Sequence, residues 1–232
     1  MRKLERTIRA AIQHVSDEAR NHPLAFLTEC DLQCRLYAAL LPTYGNLEPV
    51  SNTSVWGTAQ PRRLKPLRSM RLHSELLLPE GRIDLAVLDL GATRFAFNSR
   101  GRFGHAQLEP GDHAFIEIKL SRTHRSGVST KARWLGLLRA DLEKLNRYPW
   151  LSFLLAYDFD FEFSHEEIRA LLRLAGPRTR FLYSKDVFER CYLEEAPPNK
   201  AMQRTRGTAA SCFAGMVPRA PDGRRWAATD LR

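Results

Sequence analysis

Paired cysteines are absent from this sequence. Its four, Cys30, Cys34, Cys191 and Cys212, form no CxxC and stand at no Cys/His spacing that would hold zinc. Cys30 and Cys34, four residues apart in a helical pattern, read as small buried thiols in a reducing cytosol. The seven histidines are scattered and offer no pair at metal spacing, which speaks against a histidine-based nuclease. No run approaches the ~20 apolar residues that span a bilayer. The stretch "MRKLERTIRAAIQ" is charged throughout and has no apolar secretion core, so no signal peptide, no membrane partner and a cytoplasmic location are expected. Acids are missing from two stretches, "PRRLKPLRSMR" and "KLSRTHRSGVSTKAR", each with five Lys or Arg.

With 44% hydrophobic and 27% charged residues over 232 positions, the composition suits one well-packed core. The net charge of +10 is uneven. Residues 197–232 hold seven Lys or Arg against two Asp; with four prolines, three glycines and no helical period there, residues 196–232 are expected to form a disordered basic tail.

Hydrophobic spacing predicts the elements. Leu4, Ile8, Ala11, Ile12 and Val15 set an amphipathic helix over residues 3–20, and residues 1–24 are assigned to an N-terminal helical segment. "TECDLQCRLYAALL" follows, with Thr28 as N-cap and Leu32, Leu36 and Leu40 as its stripe. Residues 49–70 show no period. Strand-like runs cover 71–78, 82–90 and 113–120, the first two joined by the tight "PEG" turn. The glycine- and aromatic-rich stretch between the second and third suggests an extra hairpin or a mobile flap. A helix near 130–147, the uninterrupted apolar strand "WLSFLLAYD", a helix over 164–174 opened by a Ser164/Glu167 capping box, the short strand "RFLYS" and a closing helix "KDVFERCYLEE" complete the order. The expected architecture over 25–195 is α/β, a mixed sheet of four or five strands covered by helices.

The run "HAFIEIKL" carries the chemistry. Successive side chains of a strand point to opposite faces, so Glu117 and Lys119 share one face and Ile116 and Ile118 the other. The preceding strand has a similar breach, Asp84 within "RIDLAV". A lone carboxylate in an apolar run needs a cation nearby. Carboxylates from two adjacent strands make a hard oxygen site suited to magnesium or manganese. Lys119 beside such a cation could hold or help deprotonate a water.

Asp84 in "GRIDLAV", Glu117 and Lys119 in "FIEIK", and Glu29 in "LTECDLQ" together resemble the PD-(D/E)XK, or restriction-endonuclease-like, nuclease superfamily over roughly residues 25–160. The later "ADLEKL" helix and "LSFLLAYD" strand fit that order of elements. The resemblance implies a restriction-endonuclease-like fold and an Mg2+- or Mn2+-dependent endodeoxyribonuclease. Asp84, Glu117 and the main-chain carbonyl of Ile118 would be the metal ligands, Lys119 would position or activate the attacking water, and Glu29 would bind a second metal or orient that water. Ile83 stands at the family's name-giving proline, and 33 residues separate Asp84 from Glu117. Asp31 and Glu75 compete with Glu29 for the third acid.

Arg122, Arg125, Lys131 and Arg133, beside the motif, would meet a phosphate backbone. DNA is the implied partner, and nothing in the residues separates it from RNA; a homodimer is the arrangement by which one site per chain cuts both strands. Two other readings stand: a catalytically inactive module on the same scaffold that binds nucleic acid or a protein, and an unrelated α/β accessory protein with a structural ion pair. The string "PNKAMQRTR" resembles the translated read-through of an integron recombination site, which implies a bacterial gene cassette.

Overall fold

The computed structural model describes residues 2–22, 25–50, 55–57, 68–97, 103–121, 130–158 and 163–185. The expected closing helix, the tail from residue 196, and Arg122 and Arg125 lie outside them.

Five strands form one mixed sheet: β4 (Leu72–Leu78), β5 (Gly81–Val87), β8 (Ala114–Ser121), β9 (Leu151–Asp158) and β10 (Thr179–Lys185). Their order is β10-β9-β8-β5-β4; β8, β9 and β10 run parallel, and β5 and β4 are antiparallel additions. Helices α1 (Arg2–Asn21) and α2 (Glu29–Tyr44) belong to one face, α3 (Lys131–Asn146) and α4 (His165–Leu174) to the other. The α/β expectation is therefore met. β9 explains why its sequence is apolar throughout: Phe153, Leu155 and Tyr157 enter the core with α1 and α2, while Leu154 and Ala156 enter the core with α3. No helix among the described residues is long and apolar enough to cross a membrane.

Five short or peripheral strands complete the set. β1 (Glu48–Pro49) pairs with β3 (Arg68–Ser69), and β2 (Val55–Gly57) joins β6 (Thr93–Phe97) and β7 (Phe103–Leu108) in a three-stranded sheet. The extra hairpin expected between the second and third strands is thus present as β6 and β7. The three short strands within 48–69 were not legible, because strands of two or three residues carry no period.

Two local expectations need correction. Cys30 and Cys34 are exposed, with sulfurs 3.9 Å apart, not buried. The buried stripe of α2 is Leu32, Leu36 and Leu40, and residues two positions off that stripe point about 200° away from it. Helix α2 also runs through Pro42 to Tyr44 instead of ending at the proline. The Tyr44 ring is buried and lies under the Arg71 guanidinium at 5.6 Å, which anchors that last turn.

The feature that matters for function is a fork in the sheet. The β5–β8 ladder holds only at Leu85↔Ile116, Ala86↔Phe115 and Val87↔Ala114. Beyond it, β8 continues to Ser121 along β9 alone, and β5 reaches back to Gly81 along β4 alone. Opposite Asp84, the β4–β5 ladder skips a step, because Glu75 takes a left-handed φ of 54°. That conformation is costly for a residue with a Cβ and marks a locally over-determined backbone.

Candidate functional site

A strand edge without its partner exposes backbone donors. Within the fork, Ile118 N–H donates to Asp84 Oδ2 at 2.9 Å and Leu120 N–H donates to Glu29 Oε1 at 3.2 Å. Two carboxylates thus take the place of the missing strand's carbonyls. The N–H and C=O of one strand residue point to the same edge, so the Ile118 carbonyl faces the fork too; it accepts from Lys119 Nζ at 3.2 Å.

Each carboxylate is placed from its own element. Glu29 is the first residue of α2, where Thr28 is the N-cap. Asp31 completes that capping box, accepting from the backbone N–H groups of Leu27 and Thr28 at 2.8 Å each. Asp31 thus closes the helix end, while Glu29 reaches β8. Gln33, one turn along α2, donates to the Asp84 carbonyl at 2.8 Å and to Glu75 Oε1 at 2.9 Å. Glu75 also pairs with Arg82 at 2.7 Å, so it stands at the rim as a braced residue. Replacing Thr28 by Ala is expected to cost about 1 kcal/mol of stability and to loosen Glu29. Urea unfolding checks this, and an unchanged midpoint would show the cap to be idle.

Glu117 and Lys119 lie under α3, where two further charged residues meet them. Lys144 Nζ is 2.8 Å from Glu117 Oε1 and 3.5 Å from Asp141 Oδ1, and it donates to the Arg82 carbonyl at 3.1 Å. Lys119 Nζ is 3.4 Å from Asp141 Oδ2 and 3.8 Å from Glu29 Oε2. Glu117 Oε1 and Asp141 Oδ2 are buried and receive no well-directed hydrogen bond, so these contacts act as ion pairs. Glu29, Asp84, Glu117 and Asp141 against Lys119 and Lys144 leave a formal excess of two negative charges.

That excess shows in the titration of the groups. Burial, then the neighbouring Asp84 charge, pushes the Glu117 carboxyl up to about 7 in spite of Lys144. Burial also raises Glu29, against the pull of Lys119. Burial alone would lower the Lys119 ammonium, but Asp141, Glu29, Asp84 and Glu117 together outweigh it and hold its pKa above the ordinary lysine value. Lys119 is therefore a fixed cation at neutral pH.

Of the expected site residues, Glu29, Asp84, Glu117, Ile118 and Lys119 come together in this cluster. Lys131 and Arg133 do not: Lys131 begins α3, pairs with Glu167 at 2.7 Å and lies 5.3 Å over the Phe163 ring. At 1.5 Å per residue, it stands about 15 Å along the helix from Asp141. Gln33, Asp141 and Lys144 were missed. A signal for Asp141 existed, since it falls three residues after Leu138 and four before Leu145 and so interrupts the apolar stripe of α3 with a charge.

As placed, no three acidic, histidine or cysteine side chains among the described residues stand ready to grip an ion. The donor chemistry nevertheless suits a hard divalent cation: Asp84, Glu117 and the Ile118 carbonyl offer oxygen only, one of them a buried carboxylate oxygen without a directed donor, in a cluster with two negative charges in excess. Searches against protein-family models, curated proteins and solved structures found no match to this chain.

Proposed function

We propose that this protein is a metal-dependent nuclease that hydrolyses phosphodiester bonds in nucleic acid at the β5–β8 fork. One observation carries the reading: where the two strands part, Asp84, Glu117, the Ile118 edge and Lys119 meet, with Glu29 supplied by α2. Asp84, Glu117 and the Ile118 carbonyl would hold magnesium or manganese. Such an ion supplies charge neutralisation to a phosphate and a lowered pKa to a bound water.

The protein's own groups do the rest. Lys119 is a cation among its carboxylates, and its ammonium would position the attacking water or a phosphate oxygen by hydrogen bonding and charge. Glu29, tied to Leu120 N–H through one oxygen, has its other oxygen toward Lys119 and can orient the same water. Lys144 holds Glu117 in place and tempers the charge of Asp141.

A second reading is favoured by one contact. Lys144 sits 2.8 Å from Glu117, where a cation's charge would otherwise be felt. A protein that keeps that pair permanently would bind nucleic acid or a protein without cutting. Incubation of plasmid DNA with the full chain and magnesium separates the two. Nicking that stops with a chelator and falls at least about 100-fold in Asp84→Asn is the expected result. DNA retained intact by a folded protein would decide for the binding module.

A further inference from the structure

A cavity of about 400 Å3 opens beside the fork, between the β4–β5 hairpin tip, strand β7 and the loop that joins α3 to β9. This size lies within the range of small-ligand pockets. Tyr148 lines it. That residue is 8% exposed, and its buried hydroxyl has no hydrogen-bond partner. That hydroxyl is shielded from solvent, so Tyr148 contributes ring surface to the cavity wall.

The lining describes what the cavity can receive. The Tyr148 ring lies nearly parallel to Trp150, with centroids 6.0 Å apart and planes at 23°, and Phe115 packs edge-on against Tyr148 at 4.8 Å. Trp150, half-buried, offers an aromatic wall. Gln107 contributes an amide that both donates and accepts, Glu80 an acceptor, and Arg147 a fork of donors at the exposed rim. Flat aromatic surface bounded by mixed donors and acceptors is the chemistry that holds an unstacked nucleobase, and a rim guanidinium suits its phosphate.

The cavity also adjoins the fork. Phe115, against which Tyr148 packs, is two residues before Glu117 on the same face of β8, about 7 Å away. Lys144, four residues before Tyr148, bridges Glu117 to the Arg82 carbonyl, and Arg82 follows the hairpin tip.

We propose that this cavity receives one unstacked nucleobase of the strand that is cut at the fork, so that the substrate is single-stranded or locally unpaired nucleic acid. The strand's fate rests on the nuclease reading; the capture of the base does not.

The test uses the full chain, a fluorescein-labelled single-stranded deoxyoligonucleotide, a fully paired hairpin of the same length, and free deoxynucleoside monophosphates. Binding is read by anisotropy in a chelator, so that nothing is cut. Trp150→Leu is expected to weaken single-strand binding about tenfold, because it removes the half-buried aromatic wall on which a base would stack. Arg147→Ala is expected to weaken it similarly, and both variants should bind the paired hairpin as the parent does. Saturation-transfer signals from the monophosphates should fade in both. Base capture without cleavage in magnesium would keep this proposal and end the nuclease reading. Cleavage with single-strand binding unchanged in both variants would keep the nuclease and overturn the cavity's role, as would no single-strand binding at all.

Discussion

Glu117→Gln is expected to raise the stability of the metal-free protein at pH 8 while it abolishes cleavage. Glu117 is 2% exposed, and its carboxyl is pushed up to about 7 from an ordinary 4.5 by burial and by Asp84. The folded state therefore holds this proton more tightly than the unfolded chain does. Between pH 4.5 and about 7 the folded protein carries the proton and the unfolded chain has released it, so stability falls as pH rises through that window and levels off above it. The gap corresponds to a penalty of about 3 kcal/mol at pH 8, and a neutral amide of the same shape removes most of it. Unfolding in urea at pH 5 and at pH 8 checks this: the parent loses stability between the two, and the variant loses markedly less, since Glu29 is also raised by burial. Magnesium should reverse the order, since it would stabilise only the protein that still has the carboxylate. An equally steep pH dependence in the variant would place the titrating group elsewhere and remove Glu117 from the charged centre.

Lys119→Met is expected to reduce cleavage by roughly 1,000-fold, in the range found when one preorganised electrostatic group is removed. The methionine retains much of the stem's packing, and the lost ammonium leaves Glu29, Asp84, Glu117 and Asp141 facing Lys144 alone. The variant should thus be less stable in chelator than the parent, and high magnesium should restore its folding without restoring its activity. Circular dichroism melts beside a nicking assay separate the two effects. A folded variant that cuts within tenfold of the parent at saturating magnesium would show that the water is positioned by another group, with Lys144 the next candidate.

The elements that could be read in the sequence are those whose evidence is local. Leu4, Ile8, Ile12 and Val15 announce α1 at helical spacing, and all four are buried. Thr28 and Ser164 announce helix starts, and both make the capping boxes observed. Asp89, two residues before Gly91, caps the turn after β5 by accepting from Gly91 N–H at 3.1 Å. Asp84, Glu117 and Lys119 stood out because a charge inside an apolar strand is expensive unless something uses it. Asp141 and Lys144 did not stand out, because on an amphipathic helix charged residues are expected and only their rotation about the axis distinguishes them. The exposure of Cys30 and Cys34 follows from their two-residue offset from the Leu32, Leu36 and Leu40 stripe, which their mutual spacing alone does not show.

What the sequence determined by itself is the long helices and the main-sheet strands, the α/β layering, and the identity of the charges that interrupt an apolar strand, because periodicity and burial cost act over a few neighbouring residues. What only the tertiary structure decided is that β5 and β8 part after Leu85 and Ile116, that Glu29 and not Asp31 reaches the gap, and that Asp141 and Lys144 close over it. Those outcomes depend on where a ladder between strands some thirty residues apart stops and how a helix is rotated against a sheet, and both are settled by the balance of packing over the whole core.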